Sequence, residues 1–174
     1  RQSTFATIDQ MTYSELSKAR IGVDLGGTKI EAIVLAHDGQ IISRHRVDTP
    51  SGDYPGTLKA IETVINLVTT DHKLSDKLPI GIGTPGAISL KTGLLMNCNS
   101  TCLNGKPLSV DLQSMINRPV RIANDADCFT LSEASDGAAT ESDIVFGVIL
   151  GTGVGGGIVF NQQQAKGVNA ICGE

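Results

Sequence analysis

Asp24-Leu25-Gly26-Gly27-Thr28-Lys29 gathers a carboxylate, two glycines, a hydroxyl and an ammonium into one short run. Glycines at 26 and 27 leave no side chain above a turn and are expected to take positive φ, so backbone N–H groups can close on an anion. A carboxylate one strand residue earlier sits where Mg²⁺ or its water shell needs an oxygen ligand. The chemistry these residue types predict is the holding of a phosphate group, with Asp24 on the metal side.

The residues on either side supply the element that carries the turn. Ile21 to Leu25 and Ile30 to Leu35 are apolar runs of strand length, so the whole stretch reads as a hairpin. The pattern returns in Phe146-Gly147-Val148-Ile149-Leu150-Gly151-Thr152-Gly153-Val154-Gly155-Gly156-Gly157-Ile158-Val159-Phe160. Aligned without a gap, Gly22 meets Gly147, Leu25 meets Leu150, Gly26 meets Gly151 and Val34 meets Val159. This is an internal repeat. The counterpart of Asp24 is Ile149, so only the first hairpin carries the acid. Two such hairpins predict two related lobes holding one nucleotide.

Composition bounds the partners. The chain has 174 residues, 40% apolar and 18% charged, enough for one full core and part of another. A net charge of −4 without a basic run argues against nucleic acid, and 3% aromatic residues leave little for stacking bases. No apolar run is long enough to span a bilayer and no charged-then-apolar leader opens the chain, so a cytoplasmic protein is expected. Cys98, Cys102, Cys128 and Cys172 fit neither a zinc ribbon nor a disulfide framework, and are expected to be reduced and mostly buried. Residues 1–18, polar and weakly patterned, are expected to be an arm or tag.

Three antiparallel strands are predicted first, the third from Ile41 to Val47 after a turn at Asp38-Gly39. Asp53 or Ser51 can cap a helix in which Leu58, Ile61, Ile65 and Val68 recur at helical spacing. Pro79 to Thr84 is a short strand ending in Thr84-Pro85-Gly86. Ser89 to Lys106 is irregular and rich in amides and hydroxyls, among them Asn97, Asn99 and Asn104. It reads equally as a turn-rich surface loop or as a site for a neutral polyhydroxyl ligand, whose groups amides can both donate to and accept from. A helix follows Pro107 with Leu108, Leu112 and Met115 on one face. Val120 to Ala123 is a strand, and Asn124-Asp125 opens a helix expected to carry Phe129 and Ala134 inward. The order βββαβαβα plus a second hairpin is the ribonuclease-H-like α/β plan of actin-type ATPases and hexokinases. The expected division is an arm at 1–18, a first lobe at 19–140 and the start of a second at 141–174.

Asp24 to Lys29, Gly83 to Gly86, Asn99 to Pro107, Asn124 to Asp127, Leu150 to Gly153 and Gly173-Glu174, taken in order, resemble the successive motifs of the ROK sugar kinases. Asn99-Ser100-Thr101-x-Leu103-Asn104-Gly105 looks most like the bacterial fructokinases, although Cys102 stands where the family commonly has an aromatic. The resemblance implies transfer of the γ-phosphoryl of ATP to a hexose hydroxyl, with fructose as the expected sugar and Mg²⁺ as the metal. It implies Asp125 as general base, and a helix cap is the plain structural reading of Asn124 or Asp125. It places Asn99, Asn124 and Glu174 on the sugar, with Thr84, Pro85 and Gly86 lining its pocket. ATP would be held by Gly26, Gly27, Thr28 and Lys29 and by Gly151, Thr152, Gly153, Val154 and Gly155. For Lys29 a solvated strand-end lysine is the competing reading.

The family continues past Gly173-Glu174 into a zinc loop and further helices, so zinc is assigned to no residue here. A homodimer is expected of the full-length parent. Two other functions compete: a ROK-type sugar-sensing regulator lacking its DNA-binding domain, and a non-catalytic fragment. The chain alone is expected to be inactive and to self-associate through exposed apolar surface on its second hairpin.

Overall fold

The structure, a computed structural model, describes residues 16, 18–71, 74–75, 77–150, 154–167 and 172–173. The chain forms two compact units, one running up to Ile82 and including Asp111–Arg121, the other comprising Gly83–Val110 and the chain from Ile122 onward.

In the first unit, β1 (Arg20–Leu25) pairs antiparallel with β2 (Lys29–Leu35), which pairs antiparallel with β3 (Ile41–Asp48). Alternation sends Ile21, Val23, Leu25, Ile30, Ala32 and Val34 to one face, all of them buried. Against that face lies α1 (Tyr54–Thr70), whose Leu58, Ile61, Val64, Ile65 and Val68 form its buried stripe. Asp53 caps it, one carboxylate oxygen accepting from Gly56 N at 2.9 Å. At the other end Asp71 puts a negative charge on the wrong pole of the helix dipole. Ser43 Oγ donates to its Oδ2 at 2.7 Å, and His45 Nε2 lies 2.7 Å from the same oxygen, which anchors the end of the helix to β3. With β4 (Ile80–Thr84), β5 (Ala87–Ile88), β6 (Leu95–Met96) and β7 (Val120–Asn124) in chain order, the main sheet runs β3-β2-β1-β4-β7. β3 is an edge strand, as its alternation predicts.

The stretch Ser89 to Lys106 carries more order than its composition suggests. β5 and β6 pair as a small ribbon, a 3₁₀ turn spans Thr101–Leu103, and backbone bonds from Leu95 N to Lys106 O and from Gly105 N to Leu95 O close the segment on itself. After it come α2 (Leu108–Ile116) and α3 (Asp125–Ser135). On α2 Leu108 and Leu112 are buried as expected, but Met115 is exposed.

β8 (Ile144–Leu150), β9 (Val154–Phe160) and β10 (Gln163–Gln164) form a separate sheet in the order β10-β9-β8. α3 packs on β8 and β9. Its buried face is Ala126, Thr130 and Ala134, one small residue per turn, while Phe129, expected inward, is exposed. The reason lies across the contact. A Cβ on Gly147 would stand 2.1 Å from Thr130 Oγ1, and one on Gly157 would stand 2.6 Å from it. Gly147 and Gly157 are cross-strand partners, so the pair leaves a notch that only a small helix face can enter. α3 lies in the same compact unit as this hairpin.

The two hairpins are alike but not in the same register. Leu25 pairs with Ile30, whereas its counterpart Leu150 pairs with Val154 rather than Gly155. β8 accordingly turns Val145 and Gly147 inward and leaves Ile144, Phe146, Val148 and Leu150 exposed. Apolar residues on both faces of β8 leave its phase open to sequence reading, and the helix contact at Gly147 sets it. Among the described residues no helix is long and apolar enough to cross a membrane.

Gly147→Ala is expected to lower stability by about 1–3 kcal/mol, the cost of overpacking a close contact. In a Thr130→Ala background it should cost less, since the hydroxyl it meets is gone. Chemical denaturation of the four proteins in that cycle measures the coupling, and equal costs in both backgrounds would show that α3 does not bear on Gly147.

Candidate functional site

The first hairpin turn is held from two sides. Gly26 N donates to Lys29 O at 3.0 Å, Thr49 N donates to Thr28 O at 3.0 Å, and Thr49 Oγ1 donates to Gly26 O at 2.8 Å. Neither Gly26 nor Gly27 is among the glycines with positive φ, so the expected conformational reason for them is wrong. For Gly26 the reason is space: a Cβ there would lie 2.8 Å from Lys29 O. Gly27 and Thr28 are exposed at the tip, where no side chain of Gly27 can cover the backbone. Thr49 escaped sequence reading because its contribution comes from the end of β3, outside the motif.

Lys29 is exposed and its ammonium pairs with Asp48, its cross-strand neighbour. Asp24, also exposed, faces Glu31 across the strands. Glu31 is committed elsewhere: Arg44 Nε at 3.0 Å and Arg46 Nε at 2.7 Å hold it, and the Arg44 guanidinium foremost keeps its carboxyl below the ordinary value. Asp24 stands one residue before the end of β1, on the side of the turn. Among the described residues no three metal-ligating side chains cluster. A single carboxylate fits Mg²⁺, which keeps most of its waters and takes its other ligands from phosphate.

In the second unit Asn124, Asp125 and the Thr84-Pro85-Gly86 turn, expected on the sugar side, meet at the start of α3. Asn124 is its N-cap, Oδ1 accepting from Asp127 N at 3.1 Å, while Nδ2 donates to Gly86 O at 3.0 Å. Asp125, half-buried, stands in the first turn and accepts from Ala126 N at 2.8 Å. Asp127 is buried. Gly86 does have positive φ, +81°, and a Cβ there would lie 2.3 Å from Met96 O and 2.8 Å from Cys98 Sγ. Thr84 is buried and Pro85 O accepts from Cys98 Sγ at 2.8 Å. Asn99, next to Cys98, is exposed.

Cys98 is the buried cysteine. Cys102 and Cys172 are intermediate and Cys128 is exposed, which corrects the expectation of mostly buried thiols. Burial first, then the nearby Cys102 and Asp125, push the Cys98 thiol from 9.0 up to about 11.

Gly151, Thr152, Gly153 and Glu174 lie outside the described residues, as do His72 and most of the arm 1–18. Val154 opens β9 and is exposed, with Gly155 half-buried beside it. The rest of that glycine run serves packing: Gly157 faces α3, and a Cβ on Gly156 would stand 2.3 Å from Gly173 O. The Cys172-Gly173 segment therefore passes directly over β9, with Gly173 at φ +106°.

Residues 20–174 match the ROK family. The chain belongs to the ROK family. It is 41% identical over 153 residues to the N-acetyl-D-glucosamine kinase of Escherichia coli O127:H6, a match covering 88% of this chain and 50% of that protein. A ROK family glucokinase from Streptomyces griseus, solved with glucose and AMPPNP, superposes with a TM-score of 0.77 at 30% identity, covering 88% of this chain and 48% of that one. The polyphosphate/ATP-glucomannokinase of Arthrobacter sp. strain KM gives 0.75 at 28% identity, covering 87% and 62%. This ROK chain spans about half the length of the curated relatives it matches. Its fold is the expected α/β fold of the ROK hexokinases.

A disulfide-exchange reagent at pH 8 is expected to label Cys128 rapidly and Cys98 slowly, and mass spectrometry of the labelled peptides reads the order. Below about pH 9 Cys98 is a thiol in both folded and unfolded chains. As pH rises from there towards about 11 the unfolded chain ionises first, so stability should fall through that window. A Cys98→Ala variant with the same alkaline decline would overturn the assignment.

Proposed function

We propose that the protein containing this chain transfers the γ-phosphoryl group of ATP to a hydroxyl of a hexose. The observation that carries the reading is the grouping of Asp125, Asn124 and the Thr84-Pro85-Gly86 turn, tied by the Asn124–Gly86 bond. A loose phosphoryl-transfer transition state asks for the hydroxyl to be aimed and its proton accepted late. A carboxylate such as Asp125, placed to accept that proton, suffices for this role. Asn99 and Asn124 orient the sugar, and Glu174 joins them by resemblance. Gly26, Gly27 and Thr28 offer phosphate oxygens a turn whose tip is uncovered, and Lys29 can reach them only by leaving Asp48. Gly151, Thr152, Gly153, Val154 and Gly155 take the corresponding role by resemblance.

Asp24 would hold Mg²⁺, directly or through water. Bound there, the ion neutralises charge on the phosphates.

The 41%-identical relatives are N-acetyl-D-glucosamine kinases, which makes that sugar, rather than the fructose suggested by the Asn99–Gly105 motif, the first to test. A panel of N-acetylglucosamine, glucose, mannose and fructose with ATP in a coupled assay decides among them. A sugar-sensing regulator is the weaker reading: the ROK family transcriptional regulator among the structural neighbours is 20% identical and shares the fold alone.

Asp125→Asn is expected to lower kcat by a factor on the order of 10²–10⁴ with little change in sugar affinity, because the amide keeps a hydrogen bond but takes no proton. Near-normal kcat would remove Asp125 from the mechanism. Asp24→Ala should weaken use of MgATP while leaving sugar binding, read by calorimetry without nucleotide, unchanged.

A further inference from the structure

The Asn99 segment is fastened to the base-bearing helix by a chain of bonds that no motif spells out. It starts at Asn104. The side-chain amide of Asn104 grips the backbone of Cys98 at both ends, Oδ1 accepting from Cys98 N at 2.8 Å and Nδ2 donating to Cys98 O at 3.0 Å. One planar amide thus fixes both peptide groups flanking Cys98, the residue immediately before Asn99. Next along the chain, the buried Cys98 thiol donates to Pro85 O at 2.8 Å. Gly86 follows, with Met96 O and Cys98 Sγ standing so close that a Cβ there would not fit. Finally Gly86 O accepts from Asn124 Nδ2, and Asn124 caps α3 one residue before Asp125.

The backbone around the grip shows why a side chain is needed there. Asn97 sits at φ +59°, in the left-handed region, and turns the strand β6 sharply out of its pairing before Cys98. From Cys98 to Ser100 no ladder supplies hydrogen bonds, and the 3₁₀ turn at Thr101–Leu103 starts only afterwards. Asn104 replaces the missing ladder partner. Both of its bonds would be made by a backbone amide and carbonyl if a strand ran there. It is itself exposed, so it contributes no apolar packing, and its position in the segment is fixed without it by the Asn104 N to Thr101 O and Gly105 N to Leu95 O bonds.

We propose that Asn104, acting through Cys98, is a positioning residue that sets where Asn99 meets the sugar and so determines which sugars are accepted. The inference rests on the sugar-kinase reading of the site. With the grip released, Asn99 samples more positions while Asp125 stays anchored through Asn124. Sugar recognition should therefore weaken more than the chemical step, and nucleotide recognition should not change.

The test is steady-state kinetics of the whole protein and its Asn104→Ala variant with ATP and the four sugars above. Expected is a rise of about tenfold in KM for the preferred sugar, the equivalent of one to two net hydrogen bonds. kcat should fall by less than KM rises, KM for ATP should be unaltered, and the preference among sugars differing at carbon two should flatten. A second pair of variants covers a poorly folding Asn104→Ala: Cys98→Ser, which keeps a donor for Pro85 O, should retain sugar KM better than Cys98→Ala. An unchanged sugar KM, or equal rises for sugar and ATP, would overturn the inference while leaving the kinase reading intact. Absence of phosphorylation of every sugar by the unaltered protein would overturn both.

Discussion

The contact on which the second unit depends is the meeting of Thr130 with Gly147 and Gly157. Close packing of a helix on two strands demands either matched bulk or matched absence of bulk, and here it is absence: a cross-strand glycine pair receives a face of Ala126, Thr130 and Ala134. The helix so seated begins at Asp125. Any residue larger than glycine at those two strand positions would lift the helix, and a displacement of about 1 Å at a reacting group is enough to cost two orders of magnitude in rate. Packing well inside the unit therefore fixes the position of a carboxylate at its surface.

The same economy of space explains the turns. Gly26 is required because Lys29 O stands where its Cβ would go, and Gly156 because Gly173 O does. Among the described residues, only Gly86 and Gly173 of the glycines near the candidate site combine a crowded position with positive φ. Glycine-rich motifs invite an interpretation in terms of conformational freedom or phosphate contact. Among the described residues most of their crowded members are places where another backbone or a helix comes close, while Gly27 and Thr28 at the tip of the first turn are exposed.

The elements were legible where periodicity was strong. Leu58, Ile61, Ile65 and Val68 at helical spacing gave α1, and Asp53 gave its cap, because an amphipathic helix writes its buried face into the sequence. Two kinds of information were not written locally. The inward face of α3 could not be read from its own residues: Phe129 is the obvious core candidate and is exposed, since the partner surface is glycine and selects for small residues instead. The phase of β8 was equally hidden, its two faces being almost equally apolar. For the site, Asp125, Asn124 and the Thr84–Gly86 turn were found through their motifs and do come together, while Thr49, Cys98 and Asn104 went unassigned. Those three act on backbone atoms of distant residues, and a side chain that bonds a backbone leaves no residue-type signature at the position it serves.

Asn124 shows how tightly support and recognition are joined. Its amide oxygen caps α3 and its amide nitrogen holds Gly86, so one side chain sets the start of the helix and the position of the turn opposite. Asp cannot replace it, because a carboxylate would keep the cap and lose the donor; Ser would keep a cap and lose the reach to Gly86. The residue before Asp125 is thus constrained by geometry before any ligand is considered. In the proposed reaction a hexose hydroxyl approaching Asp125 would meet an asparagine whose plane is already fixed at both ends, a rigidity that would favour one orientation of the sugar without spending binding energy on ordering the side chain.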